Sequence, residues 1–190
     1  MAVVEAIEVV EVVPRDDRRA DEQRRRRRDR DRQRKRLVRL LQAAHAGELA
    51  AAYAYRAHAK SLWRRPDEKA GVKGIEAAEW HHRDLVGQML TDLGATPRRS
   101  REILMATVGR VAGALCFVTG WFGPMYAAGR LEAMNVDQYR TARDLAATLG
   151  LDAQAEGLEA MRVEEVRHER WFADRTRGHP LLPLARRLLG

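Results

Sequence analysis

From Leu37 onward the apolar positions fall at intervals of three and four residues. Leu37, Val38, Leu40, Leu41, Ala44, Leu49, Ala52 and Tyr55 hold this spacing as far as about Leu62, which predicts a first amphipathic helix. Trp63-Arg64-Arg65-Pro66-Asp67 reads as a turn, with Pro66 suited to the start of a helix. A second helix is expected from about Asp67 or Gly71 to Leu93, stopped by Gly94. Ser100 is placed to cap a third and very apolar helix, Arg101 to about Thr119. Gly120-Trp121-Phe122-Gly123-Pro124 interrupts it, and Pro124 can open a fourth helix that ends near Gly150. Asp152 then caps a fifth, to about Asp174, and a short amphipathic piece, Leu181–Leu189, closes the chain. No segment between 37 and 190 alternates with the period of a strand. The body is expected to be all-α.

The flanks behave differently. Residues 15–36 offer no apolar face to bury, so this arginine-rich block is expected to stay solvated, either as a disordered tail or as a frayed lead-in to the first helix. Before it, Val3 to Val13 alternates valine with glutamate, a short strand or a stub without an assignable role. The expected organisation is a tail over 1–36, a helical bundle over 37–178 and a short amphipathic segment over 179–190. Within the bundle, residues 111–128 are apolar enough to need a membrane test. They include three glycines and a proline, which favours an interfacial helix or the wall of a greasy pocket over a span.

Charge changes this picture less than its total suggests. The formal net charge is +8, but residues 15–36 alone carry thirteen basic and six acidic groups. Residues 37–190 are close to balanced, with 22 basic and 18 acidic groups. No aromatic residue is interleaved with the arginines, so there is no stacking platform for single strands and nucleic acid is not the expected partner. An anionic membrane surface suits the tail better. The single cysteine, Cys116, excludes a disulfide framework and a cysteine-based zinc site, and fits a reducing compartment. Acidic residues stand where a secretory signal would be basic, so the expected location is cytoplasmic, peripheral to the inner face of the membrane.

The chemistry lies on the helices. Glu79-Trp80-His81-His82 and Glu165-Val166-Arg167-His168 are both Glu-x-x-His, and residues i and i+3 share a helix face, so one carboxylate and one imidazole can reach the same ion. Glu48 on the first helix and Glu132 on the fourth sit among Ala, Leu, Met and Tyr. The order Glu, Glu-x-x-His, Glu, Glu-x-x-His along four long helices is the ligand set of di-iron and di-manganese carboxylate bundles. Glu48 and Glu79 are almost equally far from their shared turn, so antiparallel packing makes them level; Glu132 and Glu165 are a few residues out of step. Four buried carboxylates repel one another unless two divalent cations balance them, and hard oxygen and nitrogen donors favour iron, with manganese also suited. The competing arrangement is a bundle with buried salt bridges from Arg83, Arg130 and Arg167. His45, Tyr55 and Tyr139 lie one or two turns from a candidate glutamate, within hydrogen-bonding reach of the ligands. Glu76 and Glu164 are expected at the edge of the site or in solvent, and His58, His81 and His179 away from it.

The segments HAGE at 45–48, EWHH at 79–82, Glu132 with Tyr139, and EEVRHE at 164–169 resemble the demethoxyubiquinone hydroxylase family of ferritin-like di-iron proteins, over about residues 37–175. The resemblance implies a ferritin-like four-helix bundle with an additional apolar helix between the second and third ligand helices. It implies that Glu48, Glu79 and His82 serve one iron and Glu132, Glu165 and His168 the other, with Glu79 and Glu165 bridging. It also implies a peripheral membrane monooxygenase that uses O2 to hydroxylate a quinone ring in ubiquinone biosynthesis. Trp121, Phe122, Met125 and Leu104–Val118 are then expected to wall the route for the lipid substrate. Ala44, Val163 and Asp137-Gln138 depart from the family pattern. Two rival activities share the sequence features: a ferroxidase or peroxide reductase without an organic substrate, and a non-enzymatic helical scaffold with a basic tail. The exposed apolar third helix further suggests a homo-oligomer.

Overall fold

In the computed structural model, which describes residues 15–189, the chain forms six helices and no strand among the described residues. They are α1 (Arg15–Ser61), α2 (Pro66–Asp92), α3 (Arg99–Leu115), α4 (Phe122–Thr148), α5 (Asp152–Thr176) and α6 (Leu182–Leu189). The alternating Val/Glu run lies outside the described residues.

The turns form where the sequence supplies residues that tolerate them. Pro66 occupies the first turn of α2, where its missing N–H has no intrahelical partner to lose. Gly94 and Gly150 take the left-handed backbone, φ 60° and 70°, immediately beyond α2 and α4. Two expected caps are absent. Ser100 lies inside α3, which starts one residue earlier behind Arg98, and Asp152 is the first residue of α5. There Asp152 places negative charge in the first turn without closing a cap. The third helix also ends earlier than the spacing indicates, at Leu115.

The larger correction concerns the arginine block. Residues 15–36 are not a disordered tail; they are the first half of the 47-residue helix α1. Arg, Gln and Ala are good helix formers, and extending an existing packed helix carries no nucleation cost. Arg24–Asp21 (2.7 Å) and Arg26–Glu22 (2.6 Å) add pairs at i,i+3 and i,i+4. Arg30 donates to the carbonyl of Leu149 (3.2 Å) and Arg34 to that of Leu93 (2.8 Å). Leu93 and Leu149 follow the last residues of α2 and α4, whose final turns contain no basic residue. One turn of α1 therefore supplies the positive charge that both helix ends lack.

Helices α1, α2, α4 and α5 form the bundle, packed as α1 on α2, α4 on α5, α1 on α4 and α2 on α5. Two apolar clusters fill it. One contains Leu37, Leu41, Val86, Leu90, Ala146, Leu158 and Met161. The other contains Ala59, Leu62, Val72, Ile75, Met125 and Phe172. The extra helix α3 lies outside the four, against α1. Its docking depends on two glycines one turn apart. A Cβ on Gly109 would stand 2.3 Å from the carbonyl oxygen of Ala50, and one on Gly113 would stand 2.6 Å from the Ala57 Cβ. A polar tie reinforces the contact: Glu102 forms an ion pair with Arg83 of α2 (2.7 Å) and meets His45 Nδ1 of α1 (2.9 Å). Among the described residues no helix is long and apolar enough to cross a membrane.

Gly109→Val is expected to lift α3 off α1 at a local cost of about 1–3 kcal/mol. Amide exchange should accelerate across α3 and stay unchanged in the four bundle helices. Unchanged exchange in α3 would show that the glycine contact does not hold it.

Candidate metal centre

Between the two apolar clusters the bundle axis turns polar. Glu48 from α1, Glu79 and His82 from α2, Glu132 from α4, and Glu165 and His168 from α5 all project into this layer, and all six are buried. One atom from each of Glu48, Glu79, His82 and Glu165 lies within 4.8 Å of the others. The same holds for Glu79, Glu132, Glu165 and His168, so the two sets share Glu79 and Glu165. The few-residue mismatch in depth between Glu132 and Glu165 does not keep their carboxyls apart.

Both imidazoles turn Nδ1 inward. His82 Nδ1 is 3.1 Å from Glu165, and His168 Nδ1 is 3.5 Å from Glu165 and 3.7 Å from Glu79. Eight inward atoms are buried without a hydrogen-bond partner: Glu48 Oε2, both oxygens of Glu79, Glu132 Oε2, both oxygens of Glu165, and the two Nδ1 atoms. An unpaired buried polar atom costs about 1–3 kcal/mol, more when charged, so eight facing one another require a common partner. No lysine or arginine nitrogen is within 4.0 Å of any of the four carboxylates among the described residues. The arginines that a salt-bridged bundle would need are elsewhere; Arg83, for one, serves Glu102. Two divalent cations would supply four positive charges and accept all eight donor atoms, so this donor set fits a dinuclear oxygen- and nitrogen-ligated metal site.

Electrostatics carry the same message. Burial raises the carboxyls of Glu48, Glu79 and Glu132, and for Glu79 and Glu132 neighbouring carboxylates push further. Glu165 runs the other way, to about 2: burial would raise it, but the close approach of Glu132, His168 and His82 lowers it. Burial likewise opposes charge on His82, yet Glu165, Glu48 and Glu164 lift it to about 9.

The surrounding shell is reciprocal. Tyr55, seven residues after Glu48 on α1, donates its hydroxyl to Glu132 on α4. Tyr139, seven residues after Glu132, donates to Glu48. Each tyrosine thus serves the glutamate of the opposite helix, as antiparallel α1 and α4 require. Burial first, then the adjacent carboxylates, holds both phenols protonated and keeps them donors. His45 does not join the site; its ring is committed to Glu102, with Arg83 behind it. Glu164 contributes more than its place at the rim suggests: half-exposed, it meets His82 Nε2 at 3.0 Å. Its counterpart one residue before Glu79 is Ala78, so the His168 ring lacks a matching carboxylate. Glu76 binds Arg56 (2.7 Å), His81 is exposed, and His179 stacks on Phe122.

A cavity of about 330 Å³ approaches this layer between α1, α3 and α4. It is lined by Ala54, Tyr55, His58, Ala112, Leu115, Ala128 and Leu131, among others, and Tyr55 joins it to Glu132. Of the aromatic stretch expected as its wall, Met125 is in the core and Phe122 stacks with His179; Gly123 and Pro124 line the cavity instead. His58 has no partner at useful spacing along the chain, yet it is a polar group in this apolar lining, with its imidazole lowered to about 4 by burial.

A family model for the ubiquinone biosynthesis protein COQ7 matches residues 35–171, a span that contains all six inward-facing residues and α3. No curated protein matches the chain.

Ferrous iron, added without oxygen, should raise the melting temperature by several degrees through preferential binding to the folded state. Glu79→Ala and Glu165→Ala should abolish that shift. A shift of equal size in both variants would place the metal elsewhere. His58 makes a separate contribution. Its folded pKa of about 4 lies below the ordinary 6.5, so the unfolded chain binds the extra proton between these values. The stability due to the neutral ring is complete above pH 6.5 and declines as pH falls towards 4, by on the order of 1 kcal/mol per pH unit. His58→Leu should remove that part of the slope in chemical unfolding; an identical slope would contradict the assignment.

Proposed function

The chain belongs to the family of the ubiquinone biosynthesis protein COQ7, and on that premise we propose that it is a di-iron monooxygenase that uses O2 to hydroxylate the ring of a quinone lipid. The observation that carries this reading is the group of eight unpaired, buried ligand atoms with no lysine or arginine of the described residues within 4.0 Å of their carboxylates. In this reading Glu48, Glu79 and His82 would hold one iron and Glu132, Glu165 and His168 the other, with Glu79 and Glu165 common to the two groups. Bound iron supplies O2 binding and the redox electrons. Manganese suits the same donors.

The protein's own work is positional. Each tyrosine occupies one oxygen of a terminal carboxylate, which restrains its rotation and leaves the other oxygen directed inward. Glu164 on Nε2 fixes the His82 ring so that its Nδ1 faces the cluster. The apolar cavity then receives the ring and excludes water from it, with a size in the range of small-molecule pockets. Neutral His58 gives the ring oxygens a hydrogen-bonding group about one turn from Tyr55. An apolar approach of this kind favours an organic substrate over the oxidation of iron or the reduction of peroxide alone.

The test uses reconstituted protein, a chemical reductant, isotopically labelled O2 and a short-chain quinone precursor lacking one ring hydroxyl. One labelled oxygen atom should appear in the ring. Leu115→Trp, which fills the cavity, should raise KM by roughly tenfold or more at unchanged iron content. Iron oxidation without ring product in the wild type would replace this reading with the ferroxidase one.

A further inference from the structure

Hydrogen-bonding capacity is unevenly distributed over the cavity between α1, α3 and α4. Four of its lining side chains carry a polar atom: Tyr55, His58, Cys116 and Thr119. Three of the four have their proton engaged. Tyr55 donates its hydroxyl to Glu132, Cys116 its thiol to the carbonyl of Ala112 (3.4 Å), and Thr119 its hydroxyl to the carbonyl of Leu115 (2.8 Å). Only lone pairs remain on these atoms, so each can accept a further hydrogen bond and none can donate one. Burial keeps the Tyr55 phenol protonated and pushes the Cys116 thiol up to about 11. The wall from α3 adds to the imbalance: the helix ends here at Leu115, a helix C-terminus is electronegative, and its last turn holds no basic residue. Among the described residues no lysine or arginine lines the cavity, so an anionic head group finds no counter-charge in it.

His58 is the exception. It follows Tyr55 by one turn of α1, both are 2% exposed, and its Nε2 is buried without a hydrogen-bond partner. An atom left in that state destabilises the fold, and the neighbouring alanine, leucine, glycine and proline side chains offer it nothing. The partner has to come from what occupies the cavity. Burial lowers the imidazole to about 4, so at neutral pH the ring carries one N–H and one lone pair. Taken together, four side chains can accept a hydrogen bond and one can donate. A quinone ring presents acceptors alone, its carbonyl oxygens, and finds one matching donor. The two-electron-reduced ring presents two phenolic hydroxyls, and each finds an acceptor.

We propose that the cavity selects the hydroquinone form of the lipid ring over the quinone, with His58 as the specificity-determining residue that accepts from one phenolic hydroxyl. The proposal rests on the reading of this cavity as the ring site, and adds to it the oxidation state in which the ring is bound. The second hydroxyl is left to the lone pairs of Tyr55, Cys116 or Thr119. Carbonyl oxygens in the same places face lone pairs instead, an unpaired polar contact in a dry wall. A site built around hydrogen bonds to a hydroxyl rejects the analogue that lacks it more strongly than an apolar pocket rejects a change of size.

The experiment is anaerobic equilibrium dialysis of the full-length protein, loaded with manganese(II) so that the metal does not reduce the ring. The probes are a short-chain methoxy-substituted benzoquinone, its hydroquinone, and the dimethyl ether of that hydroquinone, which keeps the ring and loses both donors. The hydroquinone should bind about tenfold more tightly or better than either of the others. His58→Leu should shrink that preference at least severalfold with metal content unchanged. His58→Gln, which keeps an acceptor and a donor, should retain it, and this separates the lost hydrogen bond from altered packing. Equal Kd values of the wild type for hydroquinone and quinone, no binding of either, or a leucine variant with the full preference would overturn the proposal. Its failure is distinct from that of the monooxygenase reading. Ring hydroxylation with equal binding of both forms overturns this inference alone, whereas a hydroquinone preference without labelled ring product overturns the monooxygenase reading and supports the selectivity.

Discussion

Carboxylates that face one another inside an apolar bundle repel, and each also loses its hydration. Glu48, Glu79, Glu132 and Glu165 are placed in this way, within reach of two imidazoles and, among the described residues, of no lysine or arginine. Unrelieved, such a layer costs several kcal/mol per charge, a large share of the 5–15 kcal/mol that holds a typical domain together. The remaining architecture acts to make that layer tolerable. Two apolar clusters close it off at either end, two tyrosines take one carboxylate oxygen each, and the unfilled donor atoms all converge. A pair of divalent cations would turn the same residues from the weakest part of the bundle into a tie among its four helices.

The arrangement has an approximate two-fold character that is broken in two places. The helix pairs α1/α2 and α4/α5 each contribute Glu, Tyr, Glu and His in the same order, and the tyrosines cross over between them. One break is at Glu164, which holds His82, against Ala78, which leaves His168 without such support. The other is α3, which packs on α1 and has no equivalent beside α4 among the described residues. The second difference bears on access to the centre. The cavity runs between α3, α1 and α4 and reaches Tyr55, so the added helix forms a wall for the approach to the Glu132 side of the layer.

Most of the inward layer was legible in the sequence because helical geometry converts spacing into direction. Glu79 with His82 and Glu165 with His168 are three residues apart, so their convergence followed once the helices were placed. Tyr55 and Tyr139 were legible as neighbours of the layer, but the crossing was not, since it depends on how α1 and α4 meet. His45 has the same local credentials as Tyr55 and goes elsewhere because Arg83 and Glu102, distant in sequence, claim its ring. Composition misread residues 15–36: a segment without an apolar face has no reason to fold alone, yet as an extension of a packed helix it needs none. Its anchoring by Arg30 and Arg34 to carbonyls at the ends of α4 and α2 is a long-range contact that no local pattern announces.

The central claim is that the inward glutamates and histidines form one dinuclear metal site. Elemental analysis of the full-length protein after anaerobic reconstitution with ferrous iron and removal of loosely bound metal tests it most directly. About two irons per folded chain are expected, falling to less than one when either shared glutamate, Glu79 or Glu165, is replaced by alanine. A folded wild-type chain that retains no iron, or variants that retain both ions, would contradict the account.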